Sequence, residues 1–292
     1  MICGLVEALR RTSELDQLPG VVLRSSARLG GTGQVPNPQH LGGTGQAPNP
    51  QQLGGTGQAP NPQQLGETGQ APNQQEGCLH RCAFCASHAL YGRLRFFTVP
   101  SVVDELERLV RQLGVRELSF VDDAFTLDRE RSLHLCQEML RRQLELSWFC
   151  NARADELDDE LVQNMAEAGC HQVYLGFEAG SQRILDSVGK GLKVEQLVRA
   201  AELLARHGIA RSVGFIVGLP GEDDASVAET IGLAQRVSPE RLQFTRFCPL
   251  PGSKLASDRS PARFHDQGED RIGQWIQRCY RESSPERQRD AA

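Results

Sequence analysis

The chain has 292 residues, 39% of them apolar and 24% charged, with a formal net charge of -5. That length admits one substantial domain plus additional segments. The mild acidity gives no strong signal for nucleic-acid binding, and no apolar run approaches the ~18–20 residues that cross a bilayer as a helix.

The first residues, Met1-Ile2-Cys3-Gly4-Leu5-Val6-Glu7, have neither a basic n-region nor an apolar h-region, so no signal peptide is expected. Nine cysteines without such a signal point to a reducing, cytoplasmic compartment. Residues 1–28 hold a short helix-like run, Leu5–Arg10, and an apolar stretch, Leu18–Arg24, too little for a domain. Residues 29–77 form a linker built on a twelve-residue tandem repeat, with copies beginning at Leu29, Leu41, Leu53 and Leu65. Each copy reads close to L-G-G-T-G-Q-A-P-N-P-Q-Q. Such a composition cannot bury enough apolar surface to offset its chain entropy, so a flexible spacer is expected.

The run Cys78-Leu79-His80-Arg81-Cys82-Ala83-Phe84-Cys85 follows directly. Its C-x3-C-x2-C spacing places three thiols on one short loop. Three thiolates can hold three irons of a 4Fe–4S cluster and leave the fourth iron free to bind a small molecule. A structural zinc site is the alternative, with His80 or His88 as fourth ligand, although no second cysteine knuckle occurs in the chain. The other six cysteines are scattered. Cys136, Cys150 and Cys170 lie in apolar contexts and are expected in the core. Cys248, near a strand end, is also read as a core residue, with a cavity-facing position as the alternative.

From residue 101 the pattern is regular. Ser101 and Asp104 suggest a capping box for a helix on which Val102, Leu106, Leu109, Val110 and Leu113 share a face, stopped by Gly114. A strand is predicted at Glu117–Val121, then a helix capped by Asp128 to about Leu144, then a strand at Leu146–Cys150. A helix at about Asp158–Ala168 and a strand at Gln172–Phe177 follow. Helical segments are predicted at about Gln182–Val188 and Val194–Arg206, a strand at Ala210–Val217, a helix at about Ala225–Val237 and a last strand at Leu242–Phe247. Strands alternating with helices imply right-handed βαβ units and a parallel sheet. Residues 256–292 read as a polar tail in which Trp275 and Ile276 suggest a short amphipathic helix.

Ligands in parallel α/β architectures bind at the carboxyl ends of the strands, and the polar signatures here fall at those ends. From Gly77 to about Leu255, with a core at 78–255, the chain resembles the radical S-adenosylmethionine (radical SAM) superfamily. It looks closest to the branch that includes cobalamin-binding relatives. The cysteine loop with Phe84 in its aromatic slot carries the resemblance, together with Gly214-Phe215-Ile216-Val217-Gly218-Leu219-Pro220-Gly221-Glu222, which fits the family's G-x-I-x-G-x-x-x-E pattern. The implied fold is a partial parallel (β/α) barrel of α/β class. The implied cofactors are a 4Fe–4S cluster on Cys78, Cys82 and Cys85 and SAM on its open iron.

The resemblance implies that Phe84 packs near the adenine, that Asp122 or Asp123 accepts from the methionine ammonium, and that Glu178 accepts from the ribose hydroxyls. Arg153 would meet a carboxylate or the substrate, and Lys190 the SAM carboxylate. Gly214, Ile216 and Gly218 would let the backbone and one aliphatic side chain approach a flat adenine. Several of these residues have ordinary roles open to them too: helix caps for Asp122, Asp123 and Glu178, a surface ion pair for Arg153.

The implied activity is reductive cleavage of SAM to a deoxyadenosyl radical. It would use an electron donor such as a flavodoxin or ferredoxin and act on a small-molecule or lipid-like substrate. Methyl transfer, as in cobalamin-dependent relatives, is the alternative reaction. A truncated or degenerate, non-catalytic product, either zinc-stabilised or simply degraded, is the alternative class. The resemblance implies that residues 1–28 are a remnant of the end of a cobalamin-binding domain; cobalamin is not expected here, because the body of that domain and its D-x-H-x-x-G motif are absent. Residues 69–76 lack the β-branched residues and alternation of a strand, so the first barrel strand is expected to be missing or poor. For the repeats, amide hydrogen exchange should show no protection across residues 29–76; protection over several repeats would refute the linker reading.

Overall fold

The computed structural model describes residues 75–257 and 269–283. The expectations for residues 1–28 and for the repeats up to residue 74 lie outside these. Among the described residues, no helix is long and apolar enough to cross a membrane.

The chain begins with β1 (Gln75–Glu76), the cysteine loop, α1 (Ser87–Tyr91) and β2 (Arg95–Phe96). β1 pairs antiparallel with β2, Gln75 opposite Phe96 and Glu76 opposite Arg95. The segment entering the first cysteine is therefore a two-residue strand outside the parallel sheet, as its lack of alternation suggests.

Then come α2 (Val99–Leu113), β3 (Glu117–Ser119), α3 (Arg129–Arg141), β4 (Ser147–Ala152), α4 (Asp159–Glu167) and β5 (Cys170–Glu178). Next are α5 (Gln182–Ser187), α6 (Val194–Arg206), β6 (Ala210–Val217), α7 (Asp224–Val237), β7 (Arg241–Arg246), α8 (Lys254–Ser257) and α9 (Glu269–Glu282).

The caps show why the helices begin where they do. Asp128, Asp158 and Asp223 each accept a backbone N–H three residues on. α2 starts three residues earlier than the Ser101–Asp104 pattern suggests. Thr98 is its cap, accepting from Ser101 N at 3.3 Å, while Ser101 Oγ donates back to Thr98 O at 2.8 Å. Pro100 fits the first turn because it needs no N–H there. Gly114 closes the helix with φ 68, in the left-handed region.

β3 to β7 form one five-stranded sheet in sequence order, every pair parallel, curled into half a barrel. A parallel sheet with crossover helices on one side buries that side. Trp148, Cys150, Val173, Leu175, Phe177, Val213, Phe215, Val217 and Phe244 all lie in the hydrophobic core. Strand alternation then puts Asn151, Tyr174, Gly176, Ser212, Gly214 and Ile216 on the concave face.

Phe120, Phe125 and Trp148 stack within 5.0–5.2 Å of one another, and Trp148 Nε1 donates to Ala168 O at 2.8 Å. Cys136, Cys150 and Cys170 are buried as expected, whereas Cys248 is exposed, not in the core. It follows β7, where the chain leaves the sheet for a proline-rich turn.

The C-terminal segment holds the amphipathic helix expected around Trp275 and Ile276, longer than its sequence suggests. α9 runs for 14 residues and buries Ile272, Trp275 and Cys279. Trp275 Nε1 donates to Asp224 Oδ1 at 2.6 Å, and Phe244 N donates to Tyr280 Oη at 2.9 Å. One apolar stripe on an otherwise charged helix suffices to dock it on β7 and α7. Trp275→Ala should therefore lower the unfolding free energy by about 3 kcal/mol, read from urea denaturation. A loss of under ~0.5 kcal/mol would mean the helix is not docked.

Candidate functional site at the carboxyl end of the sheet

The cysteine loop has little regular structure of its own, so its position depends on contacts to the sheet's carboxyl end. Ala83 N donates to Val188 O at 2.8 Å, and Leu255 N donates to Ala83 O at 2.9 Å. Ser87 Oγ donates to Asp123 Oδ2. His80 Nε2 meets Glu156 Oε1 at 2.8 Å, and Thr126 Oγ1 donates to the other Glu156 oxygen at 2.7 Å. The loop is thus tied to segments after β3, β4, β5 and β7.

Cys78, Cys82 and Cys85 are partly buried free thiols. Burial pushes the Cys78 and Cys85 thiols up. Opposing this at Cys85, Ser87 N donates to Cys85 Sγ at 3.4 Å. Arg153 Nη1 lies 3.9 Å from Cys82 Sγ. No three or more His, Cys, Asp or Glu side chains among the described residues converge as ligands of one metal ion. A cuboidal cluster makes a different demand, one thiolate at each of three corners. His80 and His88, the candidate fourth zinc ligands, both have Nε2 engaged, His80 with Glu156 and His88 with His80 O at 2.6 Å.

Behind the loop lies a buried ion pair. Lys190 Nζ donates to Glu178 Oε1 at 2.8 Å, each residue only 9% exposed. Lys190 Nζ also lies 6.0 Å from the centre of the Phe84 ring. Arg153 donates to Lys190 O and to Asp155 Oδ1, the latter at 2.7 Å. Phe84, Arg153, Glu178 and Lys190 thus form one connected group. Arg153 is buried within it and is not on the surface.

Glu178 has φ 64, a left-handed conformation that costs a non-glycine residue roughly 1–3 kcal/mol. The other non-glycine residues with positive φ among the described residues, Gln143, Glu145 and Ser238, occupy exposed positions. At Glu178 the register with β6 slips, turning its side chain back over Gly176. A methyl group on Gly176 would sit 2.5 Å from Glu178 Oε1.

Asp122 and Asp123 separate. Asp122 is buried: Oδ1 accepts from Gln75 N at 2.7 Å, its carbonyl accepts from Asn151 Nδ2 at 2.9 Å, and Oδ2 has no partner. Both side-chain amide atoms of Gln75 are likewise buried without a partner. Asp123 is exposed and serves the loop through Ser87.

The Gly214–Glu222 segment shows two arrangements that its pattern does not reveal. The space over Gly214 is taken by Tyr174, whose hydroxyl would lie 1.9 Å from an added methyl group. Gly218, at φ 94, is crossed by Ile272 of α9. Ile216 is partly buried against the core. Glu222 folds back to accept from Gly218 N at 2.5 Å and Leu219 N at 3.1 Å, and burial pushes its carboxyl up to about 7.

Sequence reasoning did not single out Gln75, Ser87, Glu156 or Tyr174. Of these only Tyr174 had a usable signal, its alternation with buried Val173 and Leu175.

Burial also pushes Asp122 up to about 7. A carboxyl whose folded pKa is raised is penalised once it ionises in the unfolded chain but not in the folded one. Stability should thus fall as pH rises from about 4 to about 7, by up to roughly 4 kcal/mol from this group, and then level off. Asp122→Asn should remove that part of the slope in denaturation curves recorded between pH 4 and 8. An identical slope in the variant would contradict the assignment.

The family description "Radical SAM superfamily" matches residues 73–234, more than half of the chain. An uncharacterized methyltransferase, PH0819, of Pyrococcus horikoshii is 34% identical over 180 residues, 61% of this chain and 39% of its own. An anaerobic magnesium-protoporphyrin IX monomethyl ester cyclase of Rubrivivax gelatinosus is 34% identical over 181 residues, 61% of this chain and 33% of its own. The chain thus spans well under half the length of these relatives. The radical SAM methyltransferase TsrM of Kitasatospora setae, solved with cobalamin and a 4Fe–4S cluster, superposes with TM-score 0.59 at 24% identity, over 62% of this chain and 37% of that one. That likeness shows the fold.

Proposed function

The chain belongs to the radical SAM superfamily, and on that premise we propose that it holds a 4Fe–4S cluster on Cys78, Cys82 and Cys85 and cleaves SAM reductively. The observation that carries this reading is the setting of the thiols. Three unbridged sulfurs share one loop, pinned at the carboxyl end of a parallel half-barrel, with the Arg153 guanidinium beside Cys82. The thiolate is the form that binds iron, and the Ser87 N–H on Cys85 Sγ works against the burial that raises that thiol.

The residues around the loop fit SAM as well. Asp122 carries an unpartnered buried oxygen, and an incoming ammonium would satisfy and ionise it. Glu178 can accept from vicinal ribose hydroxyls through Oε2, while Lys190 holds Oε1 and offers its charge to a carboxylate. Phe84 and Ile216 supply apolar surface for an adenine.

When bound, such a cluster supplies the single electron that splits SAM into methionine and a deoxyadenosyl radical. The protein's part is to hold SAM and keep water out. An external donor such as a flavodoxin or ferredoxin would reduce the cluster in a reducing, cytoplasmic setting. The substrate would be a small or lipid-like molecule.

Methyl transfer is the second reading, favoured by relatives named as methyltransferases. Those relatives are much longer than this chain, so a cobalamin needed for that reaction would have its site outside the residues described above.

The test is anaerobic reconstitution with iron and sulfide. The protein should gain broad visible absorption, lost when Cys78, Cys82 and Cys85 are all replaced by alanine. With SAM and dithionite it should release 5′-deoxyadenosine. S-adenosylhomocysteine formed only in the presence of added cobalamin would instead support methyl transfer. Stoichiometric zinc and no iron would overturn the cluster assignment. Glu178→Gln should weaken SAM binding by about 1.5 kcal/mol, read by calorimetry; unchanged affinity would remove Glu178 from the site.

A further inference from the structure

Tyr174 has no role in the account above, yet the concave face is arranged around it. Its neighbours on β5, Val173, Leu175 and Phe177, are all buried in the core, so Tyr174 and Gly176 face the other way. The ring reaches across to the next strand, where its hydroxyl lies over Gly214. Gly214 is the register partner of Gly176, and Gly176 is covered by the Glu178–Lys190 pair: a methyl group there would lie 2.5 Å from Glu178 Oε1 and 3.5 Å from Lys190 Nζ. Two paired glycines on adjacent strands, about 4.8 Å apart, thus carry a phenol on one side and a carboxylate with its ammonium on the other.

Packing alone does not account for this tyrosine. Phenylalanine would fill the same space, so packing does not call for the hydroxyl of this half-buried residue. Among the described residues the Tyr174 hydroxyl has no hydrogen-bond partner, although those of Thr126, Ser132, Thr230 and Tyr280 all do. Burial first, and the charge of Glu178 second, push the phenol up to about 12. It is therefore a standing donor at neutral pH, beside a carboxylate that can only accept. A ligand bridging the two needs donors for Glu178 and an acceptor for Tyr174. An adenosyl group has both, vicinal hydroxyls on the ribose and acceptors in the ring oxygen and the adenine nitrogens.

We propose that Tyr174 is a SAM-positioning residue whose hydroxyl donates a hydrogen bond to an acceptor on the adenosyl group while Glu178 takes the ribose hydroxyls. This rests on the SAM-site reading above. It also gives Gly214 a different purpose: the missing side chain admits the tyrosine, and the adenosyl group meets the phenol in place of bare backbone. Gly214 and Tyr174 then act as a unit, because any larger residue at 214 drives the ring away.

The chain has three tyrosines, Tyr91, Tyr174 and Tyr280, so protein labelled with 3-fluorotyrosine gives three fluorine resonances, assignable by single Tyr→Phe changes. In reconstituted protein, SAM should shift the Tyr174 line, whereas methionine alone should not. The Tyr280 line, from the α9 side of the sheet, should stay in place. Tyr174→Phe should weaken SAM binding about 3- to 10-fold by calorimetry, with cluster absorbance unchanged. Gly214→Ala should cause a comparable loss although the phenol is still present.

An unmoved Tyr174 line together with unchanged affinity in Tyr174→Phe, in protein that binds SAM, would overturn the tyrosine's role and leave the SAM site standing. Wild-type protein that does not bind SAM at all would overturn the SAM-site reading, and this proposal with it.

Discussion

The buried pair between Lys190 and Glu178 is the interaction on which the rest of the site depends. Two charges removed from water cost several kcal/mol unless they meet each other and their remaining hydrogen-bonding capacity is used. Here each partner comes from a different segment. Glu178 ends β5, and Lys190 follows the short helix α5. Their contact draws the loop after α5 back over the sheet, which lets Val188 O accept from Ala83 in the middle of the cysteine loop. It also places Lys190 O where Arg153 can donate to it, with the same guanidinium beside Cys82. Loss of the pair would thus be felt on the sulfur side of the site as well as on the sheet side.

Glycine makes this possible at two positions. Gly176 leaves room for the Glu178 carboxylate to fold back, and Gly214 leaves room for Tyr174. The concave face therefore carries functional groups lying along the sheet, where ordinary side chains would stand upright and fill the space. The opposite face is continuous apolar packing against α2 to α7 and α9. A rigid packed side and a pared-down open side are complementary: the first fixes strand positions tightly enough for the second to hold side chains at hydrogen-bond distance. The left-handed backbone of Glu178 is strain that this rigidity can sustain.

The cysteine loop shows the same logic from the other direction. A repeat-rich segment precedes it, and the residues just before Cys78 contribute only a two-residue antiparallel strand. The described structure compensates with side-chain ties. Ser87 to Asp123 and Gln75 N to Asp122 connect the loop region to the end of β3, and His80 to Glu156 connects it to the segment after β4. Helix α9, far along the sequence, supports the same framework by closing over β7 and Gly218.

The fold was largely legible in the sequence because it rests on local periodicity. The β6 strand at 210–217 and the α6 helix at 194–206 could be bounded to the residue, since apolar spacing and flanking breakers agree there. Asp128 identified itself as a cap by position alone. Thr98 did not, because Ser101 three residues on is an equally good cap in sequence, and which hydroxyl caps the helix depends on where the first turn begins. The docking of α9 was legible only as amphipathicity, since nothing local says which surface an apolar stripe will find. The three cysteines could be picked out by spacing and Glu178 by its strand end, while Lys190 was picked out by the family resemblance alone. Their mutual relations could not: that Lys190 pairs with Glu178, that Arg153 bridges Cys82 to Lys190, that Asp122 is buried and Asp123 exposed, and that Tyr174 occupies the space over Gly214. Periodicity and motifs report what each segment is, because those signals lie within a few residues of each other. Contacts between segments 12 to 76 residues apart depend on how the sheet curls and which side chains burial forces together, and that was decided only in the tertiary structure.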